Sequence, residues 1–144
     1  MTVATSTIQL KTNPPAEEHD THIVDITPQV QQLLSQASVD SGTVTLFING
    51  STAGISTIEF EPALVADFRR IWGRAVPRDI HYDHDSTWGD GNGYAHVRAS
   101  LLGPSLVVPF NGKKLALGTW QQIVVVDFDN RARSRQVIVQ IMGE

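Results

Sequence analysis

Residues 77–103 hold three of the five histidines of this 144-residue chain. His81, His84 and His96 stand there among Asp79, Asp83, Asp85 and Asp90, with Arg78 and Arg98 close by in sequence. Histidines mixed with carboxylates suit two kinds of chemistry, ligation of a divalent metal (Mg or Zn) and acid/base catalysis. Gly89, Gly91 and Gly93 make the middle of the segment a loop, and a helix is predicted to follow. The amides of Gly91, Asn92, Gly93 and Tyr94 then precede a helix, where backbone N–H groups favour an anion. The alternative for the whole segment is a solvated polar loop.

Spacing narrows these choices. His81-x-x-His84 lacks the glutamate and the four-residue helical offset of a zincin. In extended chain a three-residue offset sends the two imidazoles to opposite faces, so one of them is expected outside the site. Asp83-x-Asp85 has neither the glycine offset nor the terminal glutamate of a calcium loop. Gly89-x-Gly91-x-Gly93 is not the dinucleotide fingerprint. The run from Gly50 through Ser51, Thr52 and Ala53 to Gly54 carries threonine where a nucleophile elbow needs serine, and a strand follows it. Ser51 and Thr52 are instead candidates for hydrogen-bonding a ligand. Glu59 and Glu61 share a strand face by the period of two. Glu61 suits a helix start; Glu59 has no such role and is the catalytic candidate, with Asp67 on the next helix. Thr119, Trp120 and Gln121 interrupt a strand, Trp120 being either core or a ligand platform. Arg131, Arg133 and Arg135 crowd one turn and suit a phosphate clamp, or a solvated turn.

The elements that must position these groups follow from pattern. Strands are predicted over residues 3–11, 22–26, 43–49 and 55–60, the last two as a hairpin-like pair. Asn13-Pro14-Pro15 breaks the first. Thr27-Pro28 opens a helix with Val30, Leu33, Leu34 and Ala37 on one face, and Glu61-Pro62 opens another with Leu64, Val65, Phe68 and Ile71 as its stripe. A third helix runs over residues 94–102 to Gly103. Strands at 105–110, 115–127 and 134–142 complete the chain, with a turn at Asn111-Gly112. Late strands and few helices predict an α+β fold with a mainly antiparallel, sandwich-like core. The runs at 123–126 and 137–141 are apolar on both strand faces, which predicts cover by helices, a second sheet or another subunit.

Composition bounds the class. The length fits a single domain, residues 1–144. A net charge of −4 gives no basic field for nucleic acid. Zero cysteines exclude disulfides, thiolate metal sites and cysteine nucleophiles. No signal peptide or membrane-length apolar run is visible, so cytoplasmic residence is the expectation.

Several stretches together resemble the YjbQ family, also called uncharacterised protein family 0047. They are GSTAGISTIEFEP, YDHD, GNGYAHVRASLLGPSLVVPF, GTWQQIVVVDFDNRARSR and the closing QIMGE. The resemblance implies a β-sandwich-like α+β fold, a homotrimer and a weak, secondary thiamine-phosphate synthase activity. That reaction joins a hydroxymethylpyrimidine diphosphate to a thiazole phosphate. Carried over by motif, the family's carboxylates fall on Glu59 and Asp67. Its histidines fall on His84 and His96, its G-T-W-Q run on residues 118–121, and its R-x-R turn on Arg133 and Arg135. Many members carry a histidine where this chain has Gly50, so a three-histidine metal site here needs His81 or a carboxylate.

Three functions follow as expectations. As an enzyme, carboxylates hold Mg²⁺ on a diphosphate, Arg98, Arg133, Arg135 and glycine amides neutralise phosphate oxygens, and His84 and His96 orient substrate or move protons. As a non-catalytic trimeric module, the same pocket binds a metal or a small phosphorylated metabolite without turnover. As a scaffold, the trimer itself is the functional unit.

Overall fold

The computed structural model describes residues 1–13 and 20–144. The break read at Pro14-Pro15 lies outside them. The elements run β1 (Thr2–Lys11), β2 (His22–Asp25), α1 (Thr27–Gln36), β3 (Gly42–Asn49), β4 (Ala53–Glu59) and α2 (Pro62–Ala75). They continue with α3 (Asp83–Trp88), α4 (Gly93–Leu102), β5 (Ser105–Asn111), β6 (Lys114–Leu115), β7 (Gln121–Asp127) and β8 (Ser134–Gly143). The α+β class with antiparallel sheets is as predicted, but α3 forms inside the stretch read as loop. Its left-handed C-cap at Gly89 explains that glycine. No helix among the described residues is long and apolar enough to cross a membrane.

Among the described residues two sheets form, one ordered β1-β8-β3-β5-β6 and one ordered β2-β7-β4, every pairing antiparallel. The expected hairpin between β3 and β4 does not form, because these strands belong to different sheets. β3 already has β8 on one edge and β5 on the other, so β4 finds no free edge there and crosses to pair with β7. The crossing passes through Gly50, Ser51 and Thr52, which thereby reach the end of the sandwich.

β7 is buried on both faces. Ile123 and Val125 pack between the sheets with Val44, Leu46, Ile48, Val137 and Val139. Val124 and Val126 join a second cluster with Val65, Tyr94, Ala95, Ala99 and Phe128 beneath α2 and α4. The apolar run at 123–126 is therefore satisfied within one chain and is no argument for a subunit contact. The stripe on α2 differs from expectation: Val65 is buried, with Phe68 and Trp72 packed beside it, while Leu64 and Ile71 are exposed. The helix turns this way because Trp72 meets Phe128 edge-on at 4.9 Å.

The helix α4 lies close on β4 at Gly54. A Cβ there would stand 2.7 Å from the Gly103 carbonyl oxygen and 2.8 Å from Leu102 Cδ2. The Ile55 amide donates to that same carbonyl at 3.1 Å. This contact fixes where α4, and hence His96, sits over the three-stranded sheet.

The double burial of β7 has a direct consequence. Ile123→Ala and Val124→Ala, on opposite faces, are each expected to lower stability by about 2 kcal/mol or more. Ile71→Ala, on the exposed side of α2, is expected to change it by less than about 0.5 kcal/mol. Urea denaturation of the three variants measures this, and a mild effect at Val124 would contradict the helical cover over that face.

Candidate functional site

One end of the sandwich collects polar groups from four directions: the β3–β4 crossing, α3, the start of α4, and the turn between β7 and β8. Arg135, at the start of β8, is buried and grips Asp127, at the end of β7, through Nε to Oδ2 at 2.7 Å and Nη2 to Oδ1 at 2.9 Å. Nη2 also donates to Thr52 Oγ1 at 2.6 Å, and Thr52 donates onward to Asp129 Oδ2 at 2.9 Å. Asp129 further accepts from Arg133 Nε at 2.7 Å, Asn92 Nδ2 at 3.2 Å and the Asn130 amide at 2.8 Å. Burial alone would raise the Asp129 carboxyl, but the hydrogen bonds from Thr52, Arg133, Asn92 and Asn130 outweigh it and hold it below the usual range.

The histidines stand beside this network. His84 on α3 and His96 on α4 bring their rings to 4.3 Å between centroids, inclined by 42°. Asp85 accepts from the Gly93 amide at 2.8 Å and so ties the two helices together. Among the described residues, two buried atoms in this region have no hydrogen-bond partner, His84 Nδ1, which lies 3.9 Å from Asp85 Oδ1, and Asn92 Oδ1. Burial lowers the pKa of His96, and the neighbouring His84 lowers it further; Asp129 and Asp90 oppose the shift without reversing it. His96 is therefore a neutral imidazole at neutral pH, able to accept a proton.

The other predicted residues divide. Thr52, Asn92, Arg133 and Arg135 belong to the network, with Ser51 exposed next to Thr52 and Gly91 exposed in the loop. Glu59 does not join the histidines. It lies exposed at the far end of β4 opposite Gln121, about 20 Å of strand from Ala53. Asp67 pairs with Arg70 on the surface of α2. His81 is exposed and contacts Asp83 at 3.1 Å, the opposite placement from His84 that the spacing predicted. The Gly93 amide already meets a carboxylate, so that part of the helix start is filled from within. Arg98 faces away from the site: it is fully buried, paired with Asp20 at 2.7 and 3.1 Å, and donates to the Val76 carbonyl. The pair is not open to a phosphate.

Thr119, Trp120 and Gln121 gather at the opposite end from the histidines. Trp120 is 72% exposed and so is not core. Gln121 is held by the Gly118 amide and by Thr57. A shallow groove of about 360 Å³ adjoins them, between α1 and the β6–β7 connection.

Two residues escaped sequence reasoning, Asp127 and Asp129. The signal lay in the sequence: acids two apart closing an apolar run, followed by Arg133 and Arg135 at the same interval of two. Buried acids at that interval need cations.

Geometry and sequence agree on the protein's class. The UPF0047 protein YjbQ-like family profile matches residues 8–144. A UPF0047 protein of Archaeoglobus fulgidus is 38% identical over 120 residues, covering 83% of this chain and 90% of that protein. One from Methanothermobacter thermautotrophicus is 33% identical over 144 residues, covering 100% and 95%. The crystal structure of a protein of unknown function from Sulfolobus solfataricus superposes with a TM-score of 0.86 at 29% identity, over 99% of this chain and 100% of that one. This chain belongs to the YjbQ-like UPF0047 family.

The depressed His96 has a pH signature. Below the ordinary histidine value of 6.5 the unfolded chain takes up a proton that folded His96 resists. Stability is then expected to fall as pH drops below 6.5, with no contribution to the slope above it. His96→Gln is expected to flatten that part of the curve and leave the acid limb from Asp129, below its ordinary 3.8, in place. Urea midpoints measured from about pH 7.5 down to about pH 3 check this, and a slope between pH 6.5 and 5 unchanged by the variant would refute it.

Proposed function

We propose that this chain is an enzyme acting on a small phosphorylated metabolite, with a slow thiamine-phosphate-synthase-like transfer among its activities. The observation that supports this most is the contact of His84 and His96 beside the Asp129–Arg133 pair. It sets a neutral imidazole, a second imidazole and a cation close together. Arg133 uses only Nε on Asp129, and among the described residues its two terminal nitrogens make no hydrogen bond. They suit diphosphate oxygens.

In the transfer, the thiazole nitrogen's electron pair forms a C–N bond at the pyrimidine methylene as the C–O bond breaks. Diphosphate leaves with the C–O electrons. No proton need leave the nucleophile, so the imidazoles would orient the diphosphate by N–H donation while Arg133 neutralises developing charge. A resident metal fits poorly. Among the described residues no group of three His, Cys, Asp or Glu side chains comes together, and Asp127 and Asp129 are each bound to arginine. A catalytic zinc site has three protein ligands. Mg²⁺ carried on the diphosphate is part of the substrate in this scheme.

The test is a product assay with hydroxymethylpyrimidine diphosphate and thiazole phosphate, beside calorimetric titration with inorganic diphosphate. Turnover is expected well below a typical enzyme's median of about 10 s⁻¹. His96→Gln is expected to lower it at least tenfold with the fold intact. Diphosphate binding with no product at all would replace the transferase with a non-catalytic anion-binding module.

The homotrimer is part of the same proposal, with the outer face of the five-stranded sheet as its contact surface. Val3, Phe47, Val107, Ile138 and Met142 are exposed there. The outward positions of β1, β8, β3 and β5 carry one charge, Lys11, at an edge. Phe47→Glu is expected to reduce a trimer to monomer in analytical ultracentrifugation, and a wild-type monomer at micromolar concentration would remove this part.

A further inference from the structure

We infer that Gly50 and Arg135 form an oxyanion notch, separate from the His84–His96 opening, that accepts a phosphoryl or carboxylate group. Arg135 is 6% exposed, and its guanidinium edge formed by Nε and Nη2 is taken up by Asp127 and Thr52. Its remaining nitrogen, Nη1, makes no hydrogen bond to any described residue. A nearly buried cation with an unpartnered nitrogen carries donor capacity that only a ligand or water can satisfy.

Gly50 determines what reaches that nitrogen. A Cβ at this position would stand 2.7 Å from Nη1, nearer than real side chains come, and 3.8 Å from Cζ, an ordinary contact. Glycine therefore leaves open the space that any other residue would fill. Its φ of +138° is the conformation that permits the β3–β4 crossing to pass over the arginine. The neighbouring Ser51 is exposed and adds a hydroxyl to the rim. The donor is rigid as well as uncovered, because Asp127 holds the guanidinium plane in a bidentate grip. A ligand pays little ordering entropy at such a group.

The inference extends the reading of a phosphorylated substrate by giving a second oxyanion its own place, yet its test does not depend on turnover. Inorganic phosphate and acetate are titrated by calorimetry into the wild-type chain, Gly50→Ala and His96→Gln. Phosphate binding that weakens at least tenfold in Gly50→Ala and persists in His96→Gln supports the notch. Acetate binding with the same pattern supports it too and assigns a carboxylate ligand. Phosphate binding equal in wild type and Gly50→Ala overturns the notch, while leaving an anion site at Arg133 and the histidines intact. No binding of either anion also overturns it. Because alanine at a φ of +138° is strained and the variant can fail to fold, the Arg135 guanidinium resonances of the wild type are followed by NMR during the same titration. A saturable shift at Arg135 supports the notch; resonances unmoved at saturating phosphate overturn it.

Discussion

The bidentate pair between Arg135 and Asp127 is the contact on which the rest of this end of the molecule depends. Arg135 opens β8 in the five-stranded sheet, and Asp127 closes β7 in the three-stranded sheet. The pair bridges the two layers where the apolar core runs out. Truncating one partner of such a pair leaves the other charge buried, at a cost of about 3–5 kcal/mol. The bridge also fixes neighbours that make no apolar contact of their own. Thr52 accepts from the arginine and donates to Asp129, so the β3–β4 crossing is held in place by a side chain of β8 and one of the β7–β8 turn.

From that anchor the order propagates outward to groups that chemistry would use. Asp129 receives Asn92, the residue before α4, and thereby sets where that helix begins. Asp85 holds the Gly93 amide and sets where α3 stands against α4. The two histidines are in contact because both helices are tied down within a few residues of them. Among the described residues neither histidine is hydrogen-bonded to a carboxylate, Asp85 standing 3.9 Å from His84 Nδ1, so their position is a product of helix placement. Burial, with the His84 contact adding to it, lowers the His96 pKa, and the charges of Asp129 and Asp90 oppose that shift without reversing it.

The part of this arrangement visible in the sequence was the part written in local pattern. Alternation and turn residues placed most strands, and the glycine-rich stretch placed the histidines. The three-residue offset put His81 and His84 on different sides. What escaped depends on long-range pairing. The destination of β4 turns on β3 having both edges occupied, which no window around residues 43–60 contains. Arg98 has the composition of an anion clamp, but its partner Asp20 is 78 residues away. Glu59 and the histidines share the family's motifs yet lie at opposite ends of one strand. Asp127 was hidden by its own setting, since VVVDFD reads as an apolar strand with incidental acids until the facing arginines are known.

The Asp127, Asp129, Arg133 and Arg135 cluster sums to no net charge, yet the arginine nitrogens left over from it are the cationic groups on which the proposed anion sites rest. The reason is directional. Each carboxylate is enclosed, Asp129 by four donors and Asp127 by Arg135 and the Asp129 amide, and their lone pairs point into the protein. Arg135 gives the edge formed by Nε and Nη2 to Asp127 and Thr52 and leaves Nη1 beside Gly50, while Arg133 gives only Nε to Asp129 and leaves its two terminal nitrogens without a hydrogen bond among the described residues. Charges arranged so keep the desolvation penalty of the buried arginine low, because its counterion is already in contact. They also leave N–H groups aimed outward without side-chain freedom. A lone arginine on a flexible turn would carry more net charge and hold an oxyanion less well, since the cost of ordering it would fall on every binding event.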